Sequence, residues 1–264
     1  MRQSGIVNVT PPPRVARYSS YAELPGPVMD DALLLIDSDP EVLHGAWTVA
    51  GGHAFASIDG YGGDPCWLNV VGSFEAAAVL TEVALGELGE KCCGITTPRG
   101  LEVTRWAGQD EPGLWDLMRC DAPPPEQPGE ERVRRVTDLA VVQAFLEQVN
   151  PHYSVPADHP EVERWLGVAD EASGGLLAVG AFTRRKRGTG YLASIATTPQ
   201  ARGQGLGAAV TAALTRHAFA SGGDLCTLAH YHPNDPARRI YLRLGYRTTH
   251  QLQSNHFGRG GGEG

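Results

Sequence analysis

The chain has 264 residues, of which 42% are hydrophobic and 20% charged, with a formal net charge of −8. That composition excludes wholesale disorder, and the length suffices for one or two domains, each with a core. The acidic balance argues against broad nucleic-acid binding, and no apolar run reaches the roughly 18 residues of a membrane span.

In chain order, residues 1–20 read as an N-terminal arm. Met1 to Thr10 holds one arginine and lacks the apolar stretch of a secretory signal, and Pro11–Pro13 carries no periodicity. Residues 21–121 are predicted to form a first domain. Trp47–Ile58 supplies strand material around Gly51-Gly52, Trp67–Val71 reads as a strand, Glu75–Leu88 as an apolar helix and Cys92–Thr96 as a strand. Residues 122–130 read as a semi-rigid, proline-rich linker.

Residues 131–257 are the second predicted domain. Arg132–Thr137 reads as a strand. Asp138 is an N-cap for a helix through Val149, because Leu139, Val142, Phe145, Leu146 and Val149 recur at helical spacing. Pro151 ends that helix, and Pro160–Glu163 is predicted as a short helical turn. Strands follow at Trp165–Ala169, Leu176–Thr183 and Tyr191–Thr197, divided by Ser173-Gly174-Gly175 and Lys186–Gly190. Gln204–Ala220 is an alanine-rich helix stopped by Gly222-Gly223. A strand at Leu225–Ala229, a short helix at Pro236–Leu244 and a strand at Tyr246–Leu252 complete the domain, and 258–264 is a glycine-rich tail. The alternation predicts an α/β fold, with a mixed sheet flanked by helices. The first half is a weaker echo of the strand–helix–strand unit in the second.

Charge is uneven. Residues 1–121 carry 7 Lys/Arg and 17 Asp/Glu, a net of −10, whereas residues 122–264 carry 15 and 13, a net of +2. The acidic half either attracts a cationic partner or presents solvated faces. The five cysteines (Cys66, Cys92, Cys93, Cys120 and Cys226) are odd in number and include no CxxC. No disulfide framework is expected, and a cytoplasmic setting fits.

The chemistry concentrates between Leu192 and Tyr246. A strand ends in Ile195-Ala196-Thr197-Thr198-Pro199, and a helix then opens on Arg202-Gly203-Gln204-Gly205-Leu206-Gly207, an Arg-x-x-Gly-x-Gly pattern. The first N–H groups of a helix have no intrahelical partner, and the helix dipole adds positive charge there. Glycines let phosphate oxygens approach the backbone, and Arg202 adds a fixed charge, so the segment suits a pyrophosphate. No Walker loop is present, because no Gly-Lys-Ser/Thr follows the glycines. Residues 203–208 satisfy a GxGxxA dinucleotide pattern, but Asp224 precedes the next strand and His230 stands where that pattern expects an acid.

About thirty residues on comes Asn234-Asp235-Pro236-Ala237-Arg238-Arg239-Ile240-Tyr241-Leu242-Arg243-Leu244-Gly245-Tyr246. With Ile-x-Thr-x-Pro and Arg-x-x-Gly-x-Gly before it, the stretch from Val133 to Thr249 resembles the GNAT acyltransferase superfamily, which uses acyl-coenzyme A. The whole chain resembles tandem GNAT proteins with a degenerate first copy.

The resemblance implies the acyl-CoA N-acyltransferase fold and acetyl-CoA as cosubstrate, with no metal. Ile195, Ala196 and Thr197 would bond the pantetheine arm through main-chain groups. Arg202, Gly203, Gln204, Gly205, Leu206 and Gly207 would wrap the pyrophosphate. Asn234 would contact the arm or brace the cleft, and Tyr241 would protonate the leaving sulfur. A backbone N–H near the end of the Tyr191–Thr197 strand would stabilise the oxyanion. The acceptor is expected to be an amine, of a small molecule or a peptide, in a monomer or homodimer without nucleic-acid or membrane partners. In the first half Gly72-Ser73-Phe74-Glu75 replaces the glycine motif, and Glu75 would repel a phosphate, so one cofactor per chain is expected.

The family pattern places a Glu or His base on the fourth strand, and Gly190 to Thr198 contains neither. His152, His159, Glu161, Glu163, His230 and His232 are the alternatives, beside an acceptor that needs no base. His230 and His232 are two apart, as metal ligands often are, but no third ligand follows at suitable spacing. Arg184-Arg185-Lys186-Arg187 reads as a solvated turn or a grip on the 3′-phosphate. Cys92-Cys93 lacks an activating partner. Trp47, Trp67, Trp106, Trp115 and Trp165 read as packing residues, and Arg238, Arg239 and Arg243 as surface.

Overall fold

The computed structural model describes residues 14–58, 66–107 and 111–257. Of the predicted arm only residues 14–20 are among these, and the predicted tail lies outside them. The first half contains β1 (Ala16–Tyr18), α1 (Gly26–Met29), α2 (Ala32–Asp37), β2 (Ala46–Val49), β3 (Gly52–Ile58) and β4 (Cys66–Gly72), then α3 (Phe74–Leu88), β5 (Cys92–Pro98), α4 (Thr104–Ala107) and β6 (Gly113–Cys120). The second contains β7 (Arg134–Val136), α5 (Leu139–Val149), β8 (Val162–Ala169), β9 (Leu176–Arg184) and β10 (Gly190–Thr197), then α6 (Leu206–Ala220), β11 (Cys226–Tyr231), α7 (Asp235–Arg243) and β12 (Arg247–His256).

Among the described residues twelve strands form one mixed sheet, in the order β1-β2-β3-β4-β5-β12-β6-β11-β10-β9-β8-β7. Each half is built round the same unit. In the first, β4 and β5 are parallel and joined through α3; in the second, β10 and β11 are parallel and joined through α6. Parallel neighbours require such a crossover. The halves then exchange strands. β6, which closes the first half in sequence, lies between β11 and β12, while β12 reaches past it to pair with β5.

Helices cover both faces. On one face α1, α2 and α5 share a core in which Leu33, Leu34, Phe55, Leu117, Leu146 and Trp165 are buried. On the other, α6 and α7 cover the second half through Val210, Leu214, Tyr241 and Tyr246, and α3 covers the first through Ala77, Leu80 and Ala84. The first core draws on both halves, so the apolar surface buried there stabilises their union.

The local signals explain most element ends. Asp138 Oδ1 accepts from Ala140 N and Val141 N at 3.1 and 3.2 Å, capping α5. The predicted helical turn at Pro160–Glu163 is absent. Val162 pairs with Thr183, so β8 has already begun there, and Trp165 Nε1 anchors it by donating to Ala157 O at 2.9 Å. The helix predicted from Gln204 starts at Leu206, because Gly205 has φ 81°. β12 runs on to His256 because β5 offers it a free edge.

The stretch predicted as linker is fastened down. Arg216 of α6 donates to Pro124 O at 3.2 Å and pairs with Glu130, whose side chain is almost fully buried. The basic turn at 184–187 is likewise tied into the fold. Arg184 pairs with Glu163 at 2.6 Å, Arg185 with Glu161 at 2.8 Å and Lys186 with Asp39 at 2.7 Å, while Arg187 stacks on Tyr21. Lys186 and Arg187 thus tie the turn to the first half, while Arg184 and Arg185 hold it to carboxylates of the second.

Candidate active site

The cleft begins where two strands part. β10 and β11 pair only at Gly190↔Cys226, Tyr191↔Thr227 and Leu192↔Leu228. Past Leu192 a bulge shifts the register of β10 between Ala193 and Ala196, with Ser194 at φ 50°. A bulge bends its strand and turns main-chain groups out of the ladder. Ser194 is held there through its hydroxyl, which donates to Val155 O at 2.8 Å and accepts from Val155 N at 3.0 Å. That clamp ties the bulge to the loop after α5, which supplies another wall.

The space opened is a cleft of about 670 Å³, lined by residues of β10, α6, β11, α7 and the loop after α5. The glycine loop forms one end. Gly203 and Gly205 have φ 79° and 81°, and a Cβ on either would meet nothing within 4 Å. The space above them is therefore open to a ligand. α6 has no side-chain N-cap, and its first main-chain bond runs from Ala209 N to Gly205 O at 3.0 Å. The N–H groups before Ala209 have no partner inside the helix. α3, at the matching place in the first half, differs. Ser73 Oγ accepts from Ala76 N at 3.2 Å, and bonds from the Glu75 backbone and Ser73 hold the exposed Glu75 carboxyl below its ordinary value.

Of the residues singled out in the sequence, Ile195, Ala196, Thr197, Arg202, Gly203, Gly205, Leu206, Gly207, Asn234 and Tyr241 all line this cleft. Gln204 does not; its side-chain amide donates to Gln200 O at 3.3 Å. Asn234 lies at the rim, where Oδ1 accepts from Ala237 N at 3.3 Å and caps α7. Tyr241 projects from α7 and is almost fully buried. Burial first, and the neighbouring Tyr191 second, push its phenol well above the usual tyrosine value. The hydroxyl therefore stays protonated at neutral pH and is suited to donate.

The candidate bases separate. His152 and His230 line the cleft. His159 and Glu163 line a different hollow beside β8, Glu161 and Glu163 are committed to arginines, and His232 is exposed beyond the strand end. His230 is buried, its ring centroid 6.0 Å from that of Tyr241. Its Nδ1 lies 3.0 Å from Tyr231 O, and its Nε2 lies 3.7 Å from Asp116 Oδ2. Asp116 in turn is paired with Arg99, which also donates to Trp115 O at 2.8 Å.

Asp116 and Arg99 escaped the sequence reading because β6 did. Its signal was present: Leu114, Trp115, Leu117 and Met118 form an apolar run opened by Pro112-Gly113, with one acidic residue inside it. A lone carboxylate in such a run must find a partner when buried.

Among the described residues no group of three His, Cys, Asp or Glu side chains is placed to hold a metal ion, and no helix is long and apolar enough to cross a membrane. The five cysteines are unbridged. Cys92 shares a hydrogen bond with Cys66, which together with burial pushes its thiol up and leaves it a poor nucleophile.

Residues 116–246 match the acetyltransferase (GNAT) family. Solved structures share the architecture. A GCN5-related N-acetyltransferase from Sphaerobacter thermophilus superposes with TM-score 0.52 at 15% identity, covering 81% of this chain and 81% of that one. Another from Kribbella flavida gives 0.51 at 21%, covering 81% and 90%. A GNAT-family acetyltransferase from Colwellia psychrerythraea gives 0.50 at 13%, covering 93% and 100%. At such identities the likeness concerns the fold. A comparison with curated proteins finds no match. The segment 116–246, which begins within β6, is a GNAT acetyltransferase domain.

Proposed function

We propose that the chain is an N-acyltransferase that moves an acetyl group from acetyl-CoA to the primary amine of a small molecule, by direct attack on the thioester. One observation carries this reading: the uncapped start of α6, opened by two left-handed glycines, stands beside the gap between β10 and β11. The residues present fit the carrier. Open space over Gly203 and Gly205, unpaired helical N–H groups and Arg202 suit a diphosphate. Beyond Leu192, β10 has no β11 partner, so its main-chain groups can receive an extended arm as an added strand would be received.

The chemistry then falls to this chain's side chains and main chain. A backbone N–H in the bulged part of β10 steadies the developing oxyanion. Tyr241 gives its proton to the departing sulfur. A thiol is already a tolerable leaving group, so this help is modest, within the ~10²–10⁴-fold usual for acid–base assistance.

The cleft of about 670 Å³ has to hold both the carrier and the acceptor's reacting amine, and a small amine is the acceptor we place there. The net charge of −10 on residues 1–121 favours the second reading, a basic peptide. Thiol release from acetyl-CoA, screened across small amines, amino acids and peptides, separates the two. Release with small amines is the expected result, and release with peptides alone would install the second reading.

A further inference from the structure

We infer that His230 is the general base of this site, and that Asp116, carried in on β6 from the first half, is the residue that holds it ready. The inference rests on the transferase reading above and names the group that reading lacks. β10 supplies no Glu or His to the cleft, yet an amine acceptor is charged at neutral pH and must lose a proton before it attacks.

Two histidines line the cleft, and their surroundings differ. His152 sits exposed on the loop after α5. His230 is buried on β11, where the strand leaves β10. Its Nδ1 faces the Tyr231 carbonyl at 3.0 Å. A carbonyl only accepts, so that contact places the proton of the neutral ring on Nδ1. Nε2 is then the accepting nitrogen; it is buried and, among the described residues, has no hydrogen-bond partner, so it meets an acceptor only where the acceptor packs against the ring. The Asp116 carboxylate lies 3.7 Å from it, too far for a hydrogen bond and close enough to stabilise a charge that arrives there.

Register explains why Asp116 is in place. It lies opposite His230 on β11 and opposite Gln251 on β12, in the middle of the exchanged strand. Arg99, at the end of β5, pairs with it and keeps its other oxygen occupied. The titratable or charged groups facing the His230 ring are thus Asp116 from β6, with Arg99 behind it, and Tyr241 from α7. Burial keeps Tyr241 neutral. Acid and base are neighbours in the cleft, with ring centroids 6.0 Å apart.

The proton balance closes. An N–H bond of the acceptor ammonium breaks, and the proton goes to His230 Nε2. The freed amine forms a C–N bond to the thioester carbon, and the C–S bond breaks. Tyr241 gives its proton to sulfur and regains one from the amide nitrogen. His230 releases its proton to water, so one proton is released per turnover.

The test uses the full chain. Long-range ¹H–¹⁵N NMR of the imidazole nitrogens, with His230 assigned through its loss in His230→Gln, reads the tautomer without any acceptor. The neutral ring is expected to carry its proton on Nδ1; a proton on Nε2 overturns the assignment. Thiol release with acetyl-CoA and the best alkylamine of the screen gives the second arm. His230→Gln is expected to cut turnover about 100-fold, the lower end of general-base contributions, with the acetyl-CoA dissociation constant unchanged. Its pH–rate profile loses the acid limb. Asp116→Asn, which keeps shape and removes charge, shifts that limb to lower pH, because the imidazolium loses its counter-charge. A role for Asp116 in packing alone leaves the limb where it is, and that result overturns its part. Full activity with an unchanged profile in His230→Gln defeats the base while leaving the transferase reading intact. A wild-type chain that releases no thiol with any acceptor defeats both.

Discussion

Tyr241 and Asp31 show how burial and partners set the state of single groups. Replacing Tyr241 by Phe removes one oxygen from a packed position, so the fold and the cleft should survive. Turnover is expected to fall about 100-fold while acetyl-CoA affinity changes little, which steady-state kinetics beside calorimetric binding will show. Equal turnover would remove Tyr241 as the acid and leave the transferase reading standing. Asp31 is a structural case. Its Oδ1 caps α2 by accepting from Leu33 N at 2.9 Å and Leu34 N at 3.3 Å, and its Oδ2 lies 3.0 Å from His250 Nε2. His53 stands 3.8 Å away on β3. Burial opposes the charge, but the bond from His250 and then the nearby His53 ring outweigh it, and the carboxyl sits well below its ordinary value of 3.8. A depressed folded value adds stability that is complete above the unfolded value and is lost as pH falls through the folded one. Asp31→Asn keeps a good N-cap and removes the charge. It should cost on the order of 2 kcal/mol near pH 7, and the difference should shrink steadily below pH 3.8 in urea titrations.

At the scale of elements, sequence legibility followed the kind of signal each element sends. α6 and its glycine loop were readable because Gly203, Gly205 and Gly207 stand at the spacing that only a tight turn into a helix explains. In the structure two of them hold positive φ. The N-cap Asp138 was readable for the same local reason, since a side chain two or three residues from its partner needs no tertiary context. β8 was misread at its start because Pro160 and the acidic residues after it mimic a first helical turn. Pairing with β9 decided otherwise. α2 went unseen, since six residues give too little periodicity, and its stability comes from the core it packs into. The loop-and-helix element also yields a contrast. Gly205→Val places a β-branched residue at φ 81° and fills space left for the ligand. Gly222→Val meets a similar strain at φ 90° where α6 ends, also with nothing within 4 Å. Each should cost about 1–2 kcal/mol of stability. Only Gly205→Val should weaken acetyl-CoA binding, by about 100-fold or roughly 2.7 kcal/mol. Equal affinities in the two variants would remove the diphosphate from this loop.

At the scale of the whole molecule, the sequence predicts a semi-rigid linker at 122–130 between two domains, whereas the strand order joins both halves in one sheet. Strand identity is local, but strand partnership is not, so no pattern in residues 113–120 announces that β6 will lie between β11 and β12. The exchange makes each half incomplete without the other. A fragment of residues 122–264 would expose the facing edges of β11 and β12, together with Leu117 and Met118's former neighbours in two cores. Open apolar edges of that kind aggregate. Starting the fragment at residue 111 restores β6 and its two ladders, leaving only the β5 edge of β12 unpaired. The longer fragment is therefore expected to be soluble and to bind acetyl-CoA, while the shorter one collects in the pellet. Sedimentation and calorimetry on the pair decide it. If residues 122–264 fold and bind alone, β6 is an accessory, and the strand exchange cannot be what builds the His230 wall of the cleft.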